Sequence, residues 1–86
     1  MPSTQKITVK VIVSGQSVSI EVNLHQQVEQ LVHESLQRTG NKGQPPGEWE
    51  LRTVDGRLIP QSQTVEAAEI VEGSSLFLNP RAGAGG

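Results

Sequence analysis

The sequence predicts an α+β fold in which a mixed sheet of four to five strands packs on one main helix, with a short helical turn besides. Three observations carry this. Two runs of alternating apolar residues flank a glycine turn, a longer stretch repeats at three- and four-residue spacing, and the last third returns to short alternating runs.

The first run places Ile7, Val9, Val11 and Val13 on one face and Thr8, Lys10, Ile12 and Ser14 on the other. Period two in a stretch dense in β-branched residues is the mark of a half-buried strand. Ser14-Gly15-Gln16 supplies a tight turn, after which Val18, Ile20 and Val22 alternate with Ser17, Ser19 and Glu21. The pair reads as a β-hairpin. The period then changes: Leu24, Val28, Leu31, Val32, Ser35 and Leu36 stack on one helical face. Asn23, with Gln26 reaching back, or a position nearer Gln27 opens this helix, and Gly40 supplies a left-handed stop.

Asn41 to Gly47, with two glycines and Pro45-Pro46, reads as a loop. Trp49, Leu51 and Thr53 alternate against Glu50, Arg52 and Val54 as a third strand. Asp55-Gly56 turns the chain into the short strand Arg57-Leu58-Ile59, which Pro60 ends. Thr64 caps one helical turn through Val65 and Ala68. Glu72-Gly73 then turns into a last strand, Ser75 to Asn79, with Leu76 and Leu78 inward. An opening hairpin followed by a crossing helix is solved naturally by a β-grasp. The expected organisation is a disordered segment 1–5, one domain over 6–79 and a flexible tail 80–86.

The chain has 86 residues, enough for one modest core and too few for a deep pocket. It contains no cysteine, which excludes disulfides and thiolate chemistry and is compatible with a cytoplasmic location. Met1 to Gln5 is polar rather than a secretory signal, and no run approaches the ~20 apolar residues of a membrane span. The seven Lys and Arg are scattered under a net charge of −2, which argues against nucleic acid as a ligand. His25 and His33 lack a suitably spaced carboxylate set, so no metal site is expected. No nucleophile, base and orienter come together in the pattern, and the chain is not read as an enzyme.

Across residues 6 to 86 the chain resembles ubiquitin and its relatives. The resemblance is most specific from Gln63-Thr64-Val65 through Glu69-Ile70 to Gly73-Ser74-Ser75-Leu76-Phe77-Leu78. Gly43-Gln44-Pro45-Pro46 is similar to the loop after the ubiquitin helix, and Arg81 matches an arginine that precedes a diglycine, here Gly85-Gly86. There are departures. From that arginine the tail is one residue longer than ubiquitin's and is missing the usual leucine and second arginine. Ala68 stands at a tyrosine position and Arg52 at that of an exposed isoleucine. Only Lys6, Lys10 and Lys42 are present as acceptor lysines. These features fit the divergent bacterial ubiquitin-like modifiers better than eukaryotic ubiquitin.

The resemblance implies a covalent protein modifier. A partner activating enzyme spends ATP to adenylate the Gly86 carboxylate, the glycyl group passes through a cysteine thioester on a conjugating enzyme, and a target amine receives it. A deconjugating protease completes the set of partners, and the domain itself binds no cofactor. Glycine suits this end because Gly85 and Gly86, lacking Cβ, thread a narrow channel and expose the carbonyl. Pro80 marks where the tail begins, and six extended residues reach up to ~20 Å. Arg81, Ala82, Gly83 and Ala84 are the expected contacts to the activating enzyme, Arg81 through a bidentate grip on an acidic pocket.

In a β-grasp the first and last strands pair and the third flanks the last. This brings Phe77, Ile12, Arg52 and Val54 together as a mixed patch on the open sheet face, suited to binding partners. The free chain is expected to be a monomer. Two other functions stay open: a sulfur carrier ending in a thiocarboxylate on the last glycine, and a non-covalent adaptor with an inert tail.

Overall fold

The computed structural model describes residues 5–81; the readings placed on Met1 to Thr4 and on Ala82 to Gly86 lie outside the described residues. β1 (Lys6–Val13) and β2 (Gln16–Asn23) form the opening hairpin, in continuous register from Lys6↔Asn23 to Val13↔Gln16. Ser14 and Gly15 make its turn with φ of 50° and 91°. Two positive φ values in a two-residue turn match the twist of the flanking strands. Ahead of β1, the Gln5 carbonyl accepts the Leu24 N–H at 2.7 Å.

α1 (Val28–Arg38) buries Val28, Leu31, Val32, Ser35 and Leu36, the stripe its spacing predicts. Ser35 is the one buried polar side chain among the described residues, and it donates to the Leu31 carbonyl at 2.7 Å. The helix opens later than an Asn23 cap requires. Asn23 and Gln26 do engage, Asn23 N–H donating to Gln26 Oε1 and His25 N–H to Asn23 Oδ1, both at 2.8 Å. Those bonds close a turn before the helix, whose N-cap is Gln27 without a side-chain cap. Leu24 therefore lies in the turn and packs on the core from its edge. The far end follows the expectation: with Gly40 at φ 80°, its N–H reaches Gln37 O and Asn41 N–H reaches Leu36 O. This is a Schellman stop.

The loop after α1 contains a turn of 3-10 helix, Pro46–Glu48, that the sequence pattern does not signal. β3 (Trp49–Thr53), β4 (Leu58–Ile59) and β5 (Ser75–Pro80) complete a five-stranded sheet in the order β2-β1-β5-β3-β4. β1 and β5 are parallel, and the other neighbours are antiparallel. Before β5, Thr64 Oγ1 accepts the Ala67 N–H at 3.0 Å and its carbonyl accepts the Ala68 N–H, so the expected cap forms. Leu78 sits at the centre of the fold, in register with Val13 on one side and Leu51 on the other. All three are buried between the sheet and α1, with Trp49 closing one end. One face of the sheet is thus committed to the core, and the other is left open. The architecture is a β-grasp.

Candidate functional site: the open sheet face and the tail exit

Strand register decides which outward side chains are neighbours, because directly opposed residues on one face lie closest. Phe77 on β5 faces Ile12 on β1 and Arg52 on β3, and Arg52 in turn faces Leu58 on β4. The open face therefore carries a row Ile12–Phe77–Arg52–Leu58 across four strands. Phe77 is 38% exposed and Leu58 49%. Three of the four residues expected in the patch come together. Leu58 joins them although the sequence reading did not name it. The signal was available, since Ile59 is inward and its strand neighbour must then point out.

Val54 does not join. β3 ends at Thr53, so Val54 belongs to the Asp55-Gly56 turn and is 71% exposed. It rims a shallow depression floored by Ala68, Ile70 and Leu76 at the end of the sheet. The reason is local. Thr53 N–H bonds back to Arg57 O at 2.9 Å and Gly56 N–H to Thr53 O, closing the hairpin one residue before the alternation would have carried Val54 outward. Thr53 Oγ1 also donates to the Asp55 carboxylate. That bond, helped by the Asp55 N–H and to a lesser degree by Arg57, holds the Asp55 pKa below its ordinary value against an opposing desolvation.

Arg52 is not a free cation. Its guanidinium donates to the Gly56 carbonyl at 2.7 Å and to Glu50 Oε1 at 3.0 Å, lying along β3 and the turn. The charge on this face falls instead to Lys10, paired in register with Ser19 and Ser75, and to Lys6 at the start of β1. Lys42 stands apart in the turn Asn41–Gln44 after α1 and is exposed.

The tail leaves from the β3 side. Pro80 pairs with Trp49, and Arg81 N–H donates to Glu48 O at 2.9 Å, so the Pro46–Glu48 turn holds the chain one residue further than Pro80. The Arg81 side chain is exposed beside Trp49, Glu50 and Pro60. Ala82, Gly83, Ala84, Gly85 and Gly86 lie beyond the described residues. Among the described residues no three His, Asp or Glu side chains are grouped to hold a metal ion, and no helix is long and apolar enough to cross a membrane.

With this geometry in hand, one comparison decides the family. The model of a family described as "Protein of Unknown function (DUF2604)" matches residues 2–86. The chain belongs to that family. A curated relative, the uncharacterized protein y4jI of Sinorhizobium fredii, is 30% identical over 81 residues. The match takes in 94% of this chain and 62% of the relative, so this DUF2604 member spans less than two thirds of that protein's length. Among solved structures, a de novo design based on ubiquitin superposes with a TM-score of 0.79 at 22% identity, over 93% of this chain and 94% of the design. The ubiquitin of Caldiarchaeum subterraneum superposes with a TM-score of 0.72 at 19% identity, over 90% and 95% of the two chains. At these identities the likeness speaks for the fold, and the fold is ubiquitin-like.

Proposed function

We propose that this chain is a ubiquitin-like protein modifier whose reactive group is the Gly86 carboxyl. An ATP-dependent activating enzyme adenylates it, a conjugating enzyme carries it as a thioester, and a target amine receives it. The observation that carries the reading is the placement of Gly85-Gly86 within a β-grasp chain. Gly86 follows by five residues Arg81, the last described residue, whose N–H is held by Glu48. Five extended residues span at most ~17 Å, so the proposed reach is one residue shorter than a tail counted from Pro80. In this reading the domain over 6–79 is the handle and residues 80–86 the tail. All catalytic groups belong to the partners, and the reaction takes place in the cytoplasm.

The open face supports the same reading. Ile12, Phe77 and Leu58 form an apolar row beside the cation of Lys10, a surface that gives the activating and conjugating enzymes and the deconjugating protease a common place to grip. Arg81, exposed at the start of the tail, is proposed to meet an acidic pocket of the activating enzyme, with Ala82, Gly83 and Ala84 passing through its channel.

The test is a comparison in the native host of the N-terminally tagged protein with a version lacking Gly86. Higher-mass conjugates present only with Gly86 support the modifier. A species carrying one sulfur in place of oxygen makes it a sulfur carrier instead. Identical unmodified protein from both makes it a non-covalent adaptor.

A further inference from the structure

Asp55 is the only aspartate of the chain, and glycine follows it. None of the three asparagines, Asn23, Asn41 and Asn79, precedes a glycine. Among aspartyl bonds, the one before glycine is most open to attack by its own main chain, because glycine has no Cβ to shield its nitrogen. Here the dipeptide is exposed, in the turn that joins β3 to β4. Gly56 takes the left-handed position that ends such a loop, at φ 88°.

Both reacting groups are engaged in this turn. The Gly56 N–H, on the nitrogen that attacks, donates to Thr53 O at 2.9 Å. The Asp55 carboxylate, the group attacked, accepts the Thr53 hydroxyl, whose oxygen in turn accepts the Arg57 N–H at 3.1 Å. Thr53 thus occupies nucleophile and electrophile at once, and its hydroxyl also lowers the share of the carboxyl in the protonated, reactive form. Little else closes the turn. β4 has two residues, and it meets β3 at the pairs Leu51↔Ile59 and Arg52↔Leu58. A hairpin end with so little pairing opens locally more readily than the centre of the sheet.

We propose that Asp55-Gly56 is a self-modification site latched by Thr53, and that its conversion to isoaspartate releases Arg52 on the Phe77 face. When the turn opens, the Gly56 nitrogen bonds to Asp55 Cγ. The Cγ–OH bond breaks, and water leaves with the N–H proton. Water then adds to the resulting succinimide. Entry at the Cγ carbonyl restores aspartate, whereas entry at the main-chain carbonyl leaves Gly56 attached through the Asp55 side chain. The second product is an isomer of the starting chain, with one more carbon in its main chain. That carbon displaces the Gly56 carbonyl, which holds Arg52 at 2.7 Å, and breaks the closure from Thr53 N–H to Arg57 O. Arg52 keeps Glu50 alone, and its guanidinium is freer to swing towards Phe77, its neighbour across β3 and β5. The inference does not depend on the Gly86 chemistry.

The experiment holds the full chain folded at neutral pH, beside the same chain in denaturant, and follows the tryptic peptide of residues 53–57. Its aspartate and isoaspartate forms share one mass, separate on a column and differ in electron-transfer fragmentation. Isoaspartate accumulates fastest in denaturant and slowly in the folded protein. Thr53→Ala speeds the folded reaction about two- to tenfold, the added opening that one lost hydrogen bond gives. Thr53→Ser keeps the hydroxyl and the slow rate, and Asp55→Glu, which needs a larger ring, forms none. If Thr53→Ala does not fold, urea below the unfolding transition opens the turn of the unaltered chain and speeds its conversion instead. In the converted protein, NMR signals of the Arg52 side chain, Phe77 and Leu58 move, while those of Ile20 and Leu31 stay. Equal rates in folded protein and in denaturant, no acceleration when the turn is loosened, or unmoved Arg52 and Phe77 signals after conversion would each overturn the inference.

Discussion

Arg52 stands directly opposite Phe77 across the β3–β5 ladder, yet its guanidinium turns away along its own strand to Glu50 and Gly56. The aromatic ring is therefore bordered by the aliphatic stem of Arg52 rather than by its charge. This makes the open face more apolar than its residue list suggests. It also separates two strand neighbours sharply: Phe77 looks out and Leu78 looks in.

Phe77→Ala should leave the fold intact, at a cost of about 1 kcal/mol or less, because the side chain is already partly solvated. Leu78→Ala, at the junction of β1, β5 and β3, should cost about 2–5 kcal/mol. Urea denaturation of the two variants checks the contrast, and equal losses would mean the face assignment is wrong.

Most of the fold was legible because its two periods are clean. The hairpin and α1 each show one uninterrupted pattern, and the buried sets match it. Sequence reasoning faltered where a side chain competes with the pattern. At Asn23–Gln26, the Gln26 side chain on Asn23 N–H and the Asn23 side chain on His25 N–H look like a helix cap but close a separate turn. At Val54, alternation continues on paper past the point where the Thr53–Arg57 bond has already closed the hairpin. The 3-10 turn at Pro46–Glu48 is held partly from a distance, by Gln61 Nε2 donating to Pro46 O and Trp49 O, both at 2.9 Å. No local pattern encodes a contact across that span of chain. For the site, register placed Ile12, Phe77 and Arg52 together, but only side-chain geometry revealed that Arg52 is already engaged.

That distant clamp gives a second prediction. Gln61→Ala removes both bonds and should destabilise the domain by about 1–3 kcal/mol, since two carbonyls at the β3 entry lose their donor. Trp49 is the only tryptophan, so its fluorescence reports the loosening directly.

Glu69 holds a left-handed backbone at φ 63° in the turn before β5. A glutamate there bears a steric cost that glycine does not. Glu69→Gly should therefore raise stability by about 1 kcal/mol, read as a higher midpoint in thermal denaturation. A lowered midpoint would show that the Glu69 side chain supplies something the backbone argument omits.

The Asp55 pKa lies below its ordinary value, with the Thr53 hydroxyl bond as the largest cause. Because the folded-state value lies below the unfolded one, the ionised carboxylate favours the fold. That contribution is present above the unfolded pKa and is lost as pH falls through the folded value. An NMR titration should place the Asp55 midpoint below 3.8, and Thr53→Ala should move it back upward. A midpoint unmoved by that substitution would assign the shift to the turn backbone and Arg57.

The central claim, that Gly86 is joined to other molecules, is tested most directly by mass spectrometry of tryptic peptides from the tagged protein recovered from its native host. Trypsin cuts after Arg81, so each acceptor lysine should retain the five-residue remnant Ala-Gly-Ala-Gly-Gly, residues 82–86. The account predicts this remnant on lysines of other proteins and its absence when Gly86 is deleted. Recovery of the same segment only as a free peptide, from a host expressing the protein abundantly, would contradict it.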